Sequence, residues 1–223
     1  MIKNIVYIPA RYASKRFPGK LLKKIEDRTI IERLVQKVKN IDLLPIIVSG
    51  DKEIISFVKK KKIKFYKSKK KHISGMSRVS EVIKSKSQNI IFLLFGDELY
   101  LSEKNIQKFV NYVNKNKNAD SWHLLTNIKT KDKNDKNVVK CLLNNNKEII
   151  DLSRSYKRNY NYKCVGLFAF KKEILKKYSK FNSSDRELKL KIEQFKLLDN
   201  KIKIKSMCIK NIKNSINSIK DLK

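Results

Sequence analysis

Apolar residues in this chain fall into two spacings. Short unbroken runs ("NIVYI", "PIIVS", "IKFY", "IIFLL" and "SWHLLT") predict strands. Between them, apolar positions recur every three or four residues in "TIIERLVQKVK", "DKEIISFVKKK", "MSRVSEVIKS" and "SEKNIQKFVNYVNKN", which predicts amphipathic helices. Alternation of the two kinds predicts an α/β domain with a largely parallel sheet. Asp51 and Ser102 fit helix N-caps. Further on, "NVVKCLL" and "KEIIDL" read as a hairpin across the turn cluster "NNNK", and "CVGLFAF" as a buried strand. Helices near 171–179 and 186–198, a last strand "KIKIKSMCI" and a short terminal helix complete the pattern. The Asn- and Lys-rich segment Lys129–Asn137 reads as a loop. With no internal repeat and no linker, residues 1–223 read as one domain.

Composition changes this picture little. The 223 residues, 41% of them hydrophobic, can bury a sizeable core, yet no apolar run approaches the roughly 18 residues of a membrane span. The N-terminus runs straight into strand-like sequence and carries no secretory signal. Cys141, Cys164 and Cys208 are odd in number and widely spaced, which suits neither a disulfide framework nor a zinc pattern and points to a reducing cytoplasm. The formal charge of +33 raises the question of a nucleic-acid partner. Lys, Asn and Ile abound, however, while Arg, Gly and Pro are scarce, as base-biased codon usage would produce without a selected partner. Aromatic residues are not interleaved with the Lys runs, so no specific nucleic-acid site is expected. A field of this size would still attract polyanions in a salt-dependent way. The runs "KKKKIK" and "KSKKKH" read as a solvated helix end and loop.

The most informative stretch is "YIPARYASKRFPGK", Tyr7 to Lys20. A strand ends at Pro9, so the residues that follow lie at the C-terminal sheet edge where open α/β folds bind ligands. Ala10, Ala13 and Gly19 let backbone N–H groups approach a ligand, and Arg11, Lys15, Arg16 and Lys20 supply charge. That combination suits a polyphosphate, although the loop is not a Walker sequence.

In residue order, "IPARYASKRFPGK" resembles the IPARYxSxRLPGK signature of the 3-deoxy-manno-octulosonate (KDO) cytidylyltransferases, also called CMP-KDO synthetases. Three further blocks agree in order: "HISGMSR" with HxSGTxR, "LLFGDEL" with VQGDEP, and "NVVKCLLNNNKEIIDLSR" with NxVKVVxxxxGxxxxFSR. Weaker agreement follows in "CVGLFAFKKEIL" and "ELKLKIEQFKLL", so the resemblance spans nearly the whole chain. It implies a three-layer α/β/α sandwich of the nucleotide-diphospho-sugar transferase type, with a small, shortened substrate and dimerisation lobe. It also implies transfer of CMP from CTP to the anomeric hydroxyl of KDO in lipopolysaccharide synthesis, with Mg²⁺, in the cytoplasm, by a homodimer.

Carried over residue by residue, the resemblance assigns catalysis to Arg11, Lys20 and Asp97. Nucleotide binding falls to Ala10, Arg11, Ser14, Arg16, Lys20, Ser74, Gly75 and Arg78. Arg154, Glu193 and Gln194 are candidates for the sugar acid, Glu193 and Gln194 fitting a solvated helix face equally well. Asp97 and Asn217 would hold the metal. The chain departs from the pattern at Phe95 (for Gln), Met76 (for Thr), Ser77 (for an acid), Leu99 (for Pro), Cys164 (for His) and Asn217 (for Asp). Three readings therefore stay open: a KDO enzyme, a transferase for another sugar acid, or a non-catalytic nucleotide-binding relative. An unrelated basic nucleic-acid-binding protein would have to treat the ordered blocks as chance.

Overall fold

The computed structural model describes residues 4–13, 17–83, 88–210, 212–216 and 218–222. Its strands and helices run β1 (Ile5–Pro9), β2 (Lys24–Ile25), β3 (Arg28–Thr29), α1 (Ile30–Asn40), β4 (Leu44–Ser49), α2 (Lys52–Lys60), β5 (Phe65–Lys67), α3 (Gly75–Val82), β6 (Ile90–Leu94) and α4 (Glu103–Lys115). They continue with β7 (Ser121–Asn127), α5 (Thr130–Lys133), β8 (Lys140–Leu143), β9 (Ile149–Ser153), β10 (Tyr162–Lys171), α6 (Lys172–Lys177), α7 (Asp185–Leu190), α8 (Phe195–Asp199) and β11 (Ile204–Ile209).

The unbroken apolar runs have a physical reason. Along β1, Val6 and Ile8 enter the core shared with α1, α2 and α4, while Tyr7 enters the opposite core with α3 and α6. Along β6, Phe92 and Leu94 face the first core and Ile91 and Leu93 the second. Strands covered by helices on both faces have no solvent side to mark with polar residues. The result is a three-layer α/β/α sandwich with sheet order β11-β7-β10-β6-β1-β4-β5. The pairs β1–β4, β1–β6, β4–β5 and β7–β11 are parallel, while β10 runs antiparallel between β6 and β7. The β8–β9 hairpin expected from "NNNK" extends from β10 at Tyr162 and Lys163.

Two expectations need correction. Lys129–Asn137 is not all loop, because α5 forms a single turn within it. Asp132 on that turn is buried and pairs with the buried Lys163 (2.7 Å), and an ionised carboxylate inside the fold requires such a partner. The helix expected over 186–198 is broken into α7 and α8 by Lys191 in the left-handed region (φ 53°). That break turns residues 192–194 inward, because it lets Ile192 enter the core and Glu193 reach α3. The two lysine runs are solvated as expected.

Helix α1 starts with a reciprocal cap. The Thr29 hydroxyl accepts from the Glu32 amide, and the Glu32 carboxylate accepts from the Thr29 amide (2.9 Å). Burial works against ionisation of Glu32, but hydrogen bonds from Lys61 and Thr29 outweigh it and bring its carboxyl down to about 2. Thr29→Ala should therefore cost about 1 kcal/mol in urea denaturation at neutral pH. A depressed carboxyl stabilises above its unfolded value and loses that contribution in acid. The gap between wild type and Thr29→Ala should thus narrow as pH falls from about 4.5 towards 2.

Candidate active site

The loop after β1 is tied down at both ends. The Ala10 amide donates to Val48 O on β4 (2.9 Å), and Ala10 O accepts from the Arg78 guanidinium (3.2 Å). The Tyr12 amide donates to Asp51 Oδ2 (2.5 Å), and Tyr12 O accepts from the Gly19 amide (2.9 Å). Gly19 is left-handed (φ 66°), and a Cβ there would sit 3.2 Å from the Tyr12 ring. This turn starts the short 3₁₀ helix Lys20–Leu22 and sends the Lys20 side chain across to the exit of β6. Of the residues assigned to the phosphate loop, Ser14 and Arg16 lie outside the described residues, as does Lys15.

At the β6 exit, Lys20 Nζ donates to Asp97 Oδ2 (3.1 Å) and to Ile216 O (2.8 Å). The Ile216 amide in turn donates to Asp97 O (3.0 Å), so the C-terminal segment lies against the Asp97 backbone. The next residue, Asn217, lies outside the described residues. Glu98 is buried, and its Oε1 accepts from the Gly166 amide (2.7 Å) and the Ser215 hydroxyl (2.6 Å). Burial, and then the neighbouring Asp97 charge, push the Glu98 carboxyl up to about 7 against those two bonds.

Helix α3 brings up the other side. Ser74 caps it by accepting from the Ser77 amide (3.1 Å), and Gly75 is forced by space, since a Cβ would meet the Phe95 ring at 2.7 Å and Pro9 at 3.1 Å. Glu193 is not on a solvated helix face. Its carboxyl group accepts from the Met76 amide (2.8 Å) at the positive end of α3, a bond that works against the burial that raises its pKa. Gln194 is buried beside it. Arg154 reaches the same cavity, but its guanidinium donates to the carbonyls of Leu190 (2.6 Å), Lys191 (3.0 Å), Lys136 (3.0 Å) and Asn137 (3.3 Å), bracing the hairpin against α7.

A cavity of about 280 Å³ opens among these groups, lined by Arg11, Asp97, Arg154, Glu193, Phe95 and Cys164 among others. Aromatic rings form part of its lining. Phe95 packs on Phe168 (5.0 Å between ring centres), which packs on His123 (4.2 Å). His123 is fully buried, and burial drives its pKa down to about 3, so it stays neutral. The fold thus brings together Arg11, Lys20, Asp97, Arg78, Gly75, Glu193 and Gln194 from separate blocks of sequence.

Two contributors escaped the sequence reading. Asp51 looked like a helix cap but makes no side-chain cap bond to α2. Its carboxylate instead holds the Tyr12 amide and lies 3.9 Å from the Arg78 guanidinium. A signal existed, since an acid following a parallel strand next to β1 lies at the same sheet edge. Asp132 had no such signal.

Among the described residues no three His, Cys, Asp or Glu side chains converge as a metal-ligand group. Among the described carboxylates that line the cleft, Asp97 sits beside Lys20, whereas Glu98 accepts from Gly166 and Ser215 and Glu193 from the Met76 amide. A single carboxylate fits Mg²⁺ in the usual manner, where substrate phosphates and water complete the shell.

The cytidylyltransferase family model matches residues 5–204. The 3-deoxy-manno-octulosonate cytidylyltransferase of Fusobacterium nucleatum is 32% identical over 220 residues, covering 92% of this chain and 87% of that protein. The chain belongs to the KDO cytidylyltransferase family. It is therefore a nucleotidyltransferase. The enzyme of the same name from Wigglesworthia glossinidia brevipalpis is 33% identical over 190 residues, 78% of each chain. Among solved structures, a CMP:2-keto-3-deoxy-manno-octonic acid synthetase complexed with CTP aligns with a TM-score of 0.88 at 23% identity, over 97% of this chain and 94% of that one. The inositol-1-phosphate CTP transferase of T. maritima aligns with a TM-score of 0.73 at 14% identity, over 99% and 92%. These likenesses agree with the three-layer fold described above.

Loss of the Asp51 carboxylate frees both the Tyr12 amide and Arg78. Asp51→Ala should weaken CTP binding about tenfold, read as reduced thermal protection by CTP, whereas Asp51→Asn, which keeps an acceptor, should lose less.

Proposed function

We propose that this cytidylyltransferase transfers CMP from CTP to the anomeric hydroxyl of KDO, releasing pyrophosphate, in the cytoplasm and for lipopolysaccharide synthesis. The observation that carries the reading is the Lys20–Asp97 pair at the exits of β1 and β6, built from the two most characteristic family blocks. The three cysteines, all free, suit a reducing compartment, and no helix among the described residues is long and apolar enough to cross a membrane. The family resemblance further implies a homodimer.

In this reaction the sugar hydroxyl oxygen bonds to the α-phosphorus as the bond to the pyrophosphate oxygen breaks. Such a step is chiefly positioning and charge stabilisation. Backbone amides of the loop after Ala10, with Arg11, Ser14, Arg16 and Lys20, receive the triphosphate. Asp97 and the Ile216 carbonyl hold the Lys20 ammonium at the exit of β6, so it can offset negative charge on the α-phosphate without rearranging. Arg78 and Asp51 keep the loop in place from below. Ser74 and Gly75 border the nucleotide, while Gln194, Glu193 and Arg154 frame the sugar acid. Mg²⁺, held by Asp97 with the carbonyl of Asn217, would neutralise phosphate charge and orient the phosphates. An amide in place of a carboxylate at residue 217 lowers the affinity for that ion.

A second reading has a specific observation in its favour. Phe95 and Cys164 stand where the family pattern has polar groups, and Phe95 lines the cavity together with Phe168, on which it packs. An apolar lining at those positions favours a sugar acid carrying a deoxy or acylated position there.

Wild type should release pyrophosphate from CTP, Mg²⁺ and KDO. Lys20→Ala should lower kcat about 10²- to 10³-fold. Asn217→Asp should reduce the Mg²⁺ concentration needed for half-maximal rate. Release with another sugar acid and none with KDO would select the second reading, and protection by CTP with no release from any acid would mark a non-catalytic relative.

A further inference from the structure

The Ile216 carbonyl is an unusual partner for a phosphate-site lysine, because it comes from the C-terminal segment, 196 residues away in sequence. Something must hold that segment on the site. Residues 212–216 form no strand or helix, so no repeating ladder anchors them. Their attachments are instead discrete. Ser215 donates to Glu98 Oε1, the Ile216 amide donates to Asp97 O, and Ile216 itself is buried. One step earlier, Asn214 donates to Asp132 Oδ1 (3.0 Å) and accepts from Lys163 Nζ.

The partner of Ser215 is built in with care. Strand β10 shifts register between Cys164 and Phe168, and this bulge releases the Gly166 amide from the ladder. Gly166 then donates to the same Glu98 Oε1 that Ser215 uses, and Gly166 O accepts from the Phe95 amide (2.7 Å). A Cβ at Gly166 would sit 2.9 Å from Glu98, so only glycine leaves room for the carboxylate.

We propose that Glu98 is a positioning residue whose Oε1 locks the C-terminal segment onto the β10 bulge, so that the Ile216 carbonyl holds Lys20 in its working position. The inference rests on the CMP-transfer reading, in which Lys20 acts on the α-phosphate. Both bonds that Glu98 Oε1 accepts come from protein groups, so it acts through Ser215, Ile216 and Lys20.

The test compares Glu98→Ala, Glu98→Gln and Ser215→Ala in the full chain, by hydrogen–deuterium exchange of the C-terminal peptide and by steady-state pyrophosphate release. Glu98→Ala and Ser215→Ala should speed exchange in that peptide and lower kcat about tenfold, with the KM for CTP moving less than about threefold. Glu98→Gln, which keeps the accepting oxygen, should recover most of both losses. Unchanged exchange in the Ala variants would overturn the proposal, as would a Glu98→Gln enzyme as slow as Glu98→Ala, since the charge itself would then be at work. If Glu98→Ala fails to fold, Ser215→Ala carries the test, because it leaves the Gly166 bond intact. Silence of the wild type with every sugar acid would fail the function reading alone, and the exchange data would still decide the docking.

Discussion

A lysine ammonium with its side chain only 13% exposed has little access to water and must find its hydrogen-bond acceptors within the protein. Lys20 meets that demand with one carboxylate and one carbonyl, and the site is organised around supplying them. The left-handed turn at Gly19 aims the lysine. Strand β6, buried on both faces, fixes where Asp97 emerges. The C-terminal segment, which follows the edge strand β11, delivers Ile216 O to the exit of β6. Each of the three is held by a different part of the hydrogen-bond network, so the geometry at the cleft reports the packing of the entire sheet edge.

The same shortage of acids shapes the rest of the molecule. With 54 basic and 21 acidic residues, buried or half-buried cations cannot all find carboxylates. Lys163 does, in Asp132. The others turn to main-chain carbonyls: Lys140 to those of Asp135 and Arg154 (both 2.6 Å), Lys37 to Leu99 and Leu101, and Arg154 to four at once. Carbonyls at loop and helix ends lack regular partners and need donors in any case. Lysine excess on the surface therefore coexists with an interior in which each of these cations joins two segments. The hairpin lobe is braced in this way, through Arg154 and Lys140, although it carries little sheet of its own.

Around the sugar side of the cavity the drift from the family pattern has a consistent physical character. Phe95 gains a tilted aromatic partner in Phe168 where the family pattern has a polar group. Close packing at Gly75 then follows, because the same ring fills the space a side chain would need there, while at Gly166 the Phe95 Cβ and the Glu98 side chain do so. Polar function has been exchanged for packing at these positions, while the phosphate side keeps its basic residues and its turn.

The sequence by itself determined the layered α/β fold and the loop at the end of β1, because both depend on local periodicity, small residues and chain order. It also determined the family, through blocks that need no tertiary contact to be read. Asp51, Glu98, Asp132 and the inward turn of Glu193 were decided only in three dimensions. An acid before a helix looks the same whether it caps that helix or reaches to Tyr12, and an Asn/Lys-rich loop looks the same with or without a buried ion pair. The break at Lys191 has no Gly or Pro to announce it; it exists because Ile192 has a core to enter and Glu193 a helix end to cap. Local patterns report which face of a segment avoids water, whereas the partner of a buried charge is chosen by whichever distant segment the fold brings within hydrogen-bonding distance.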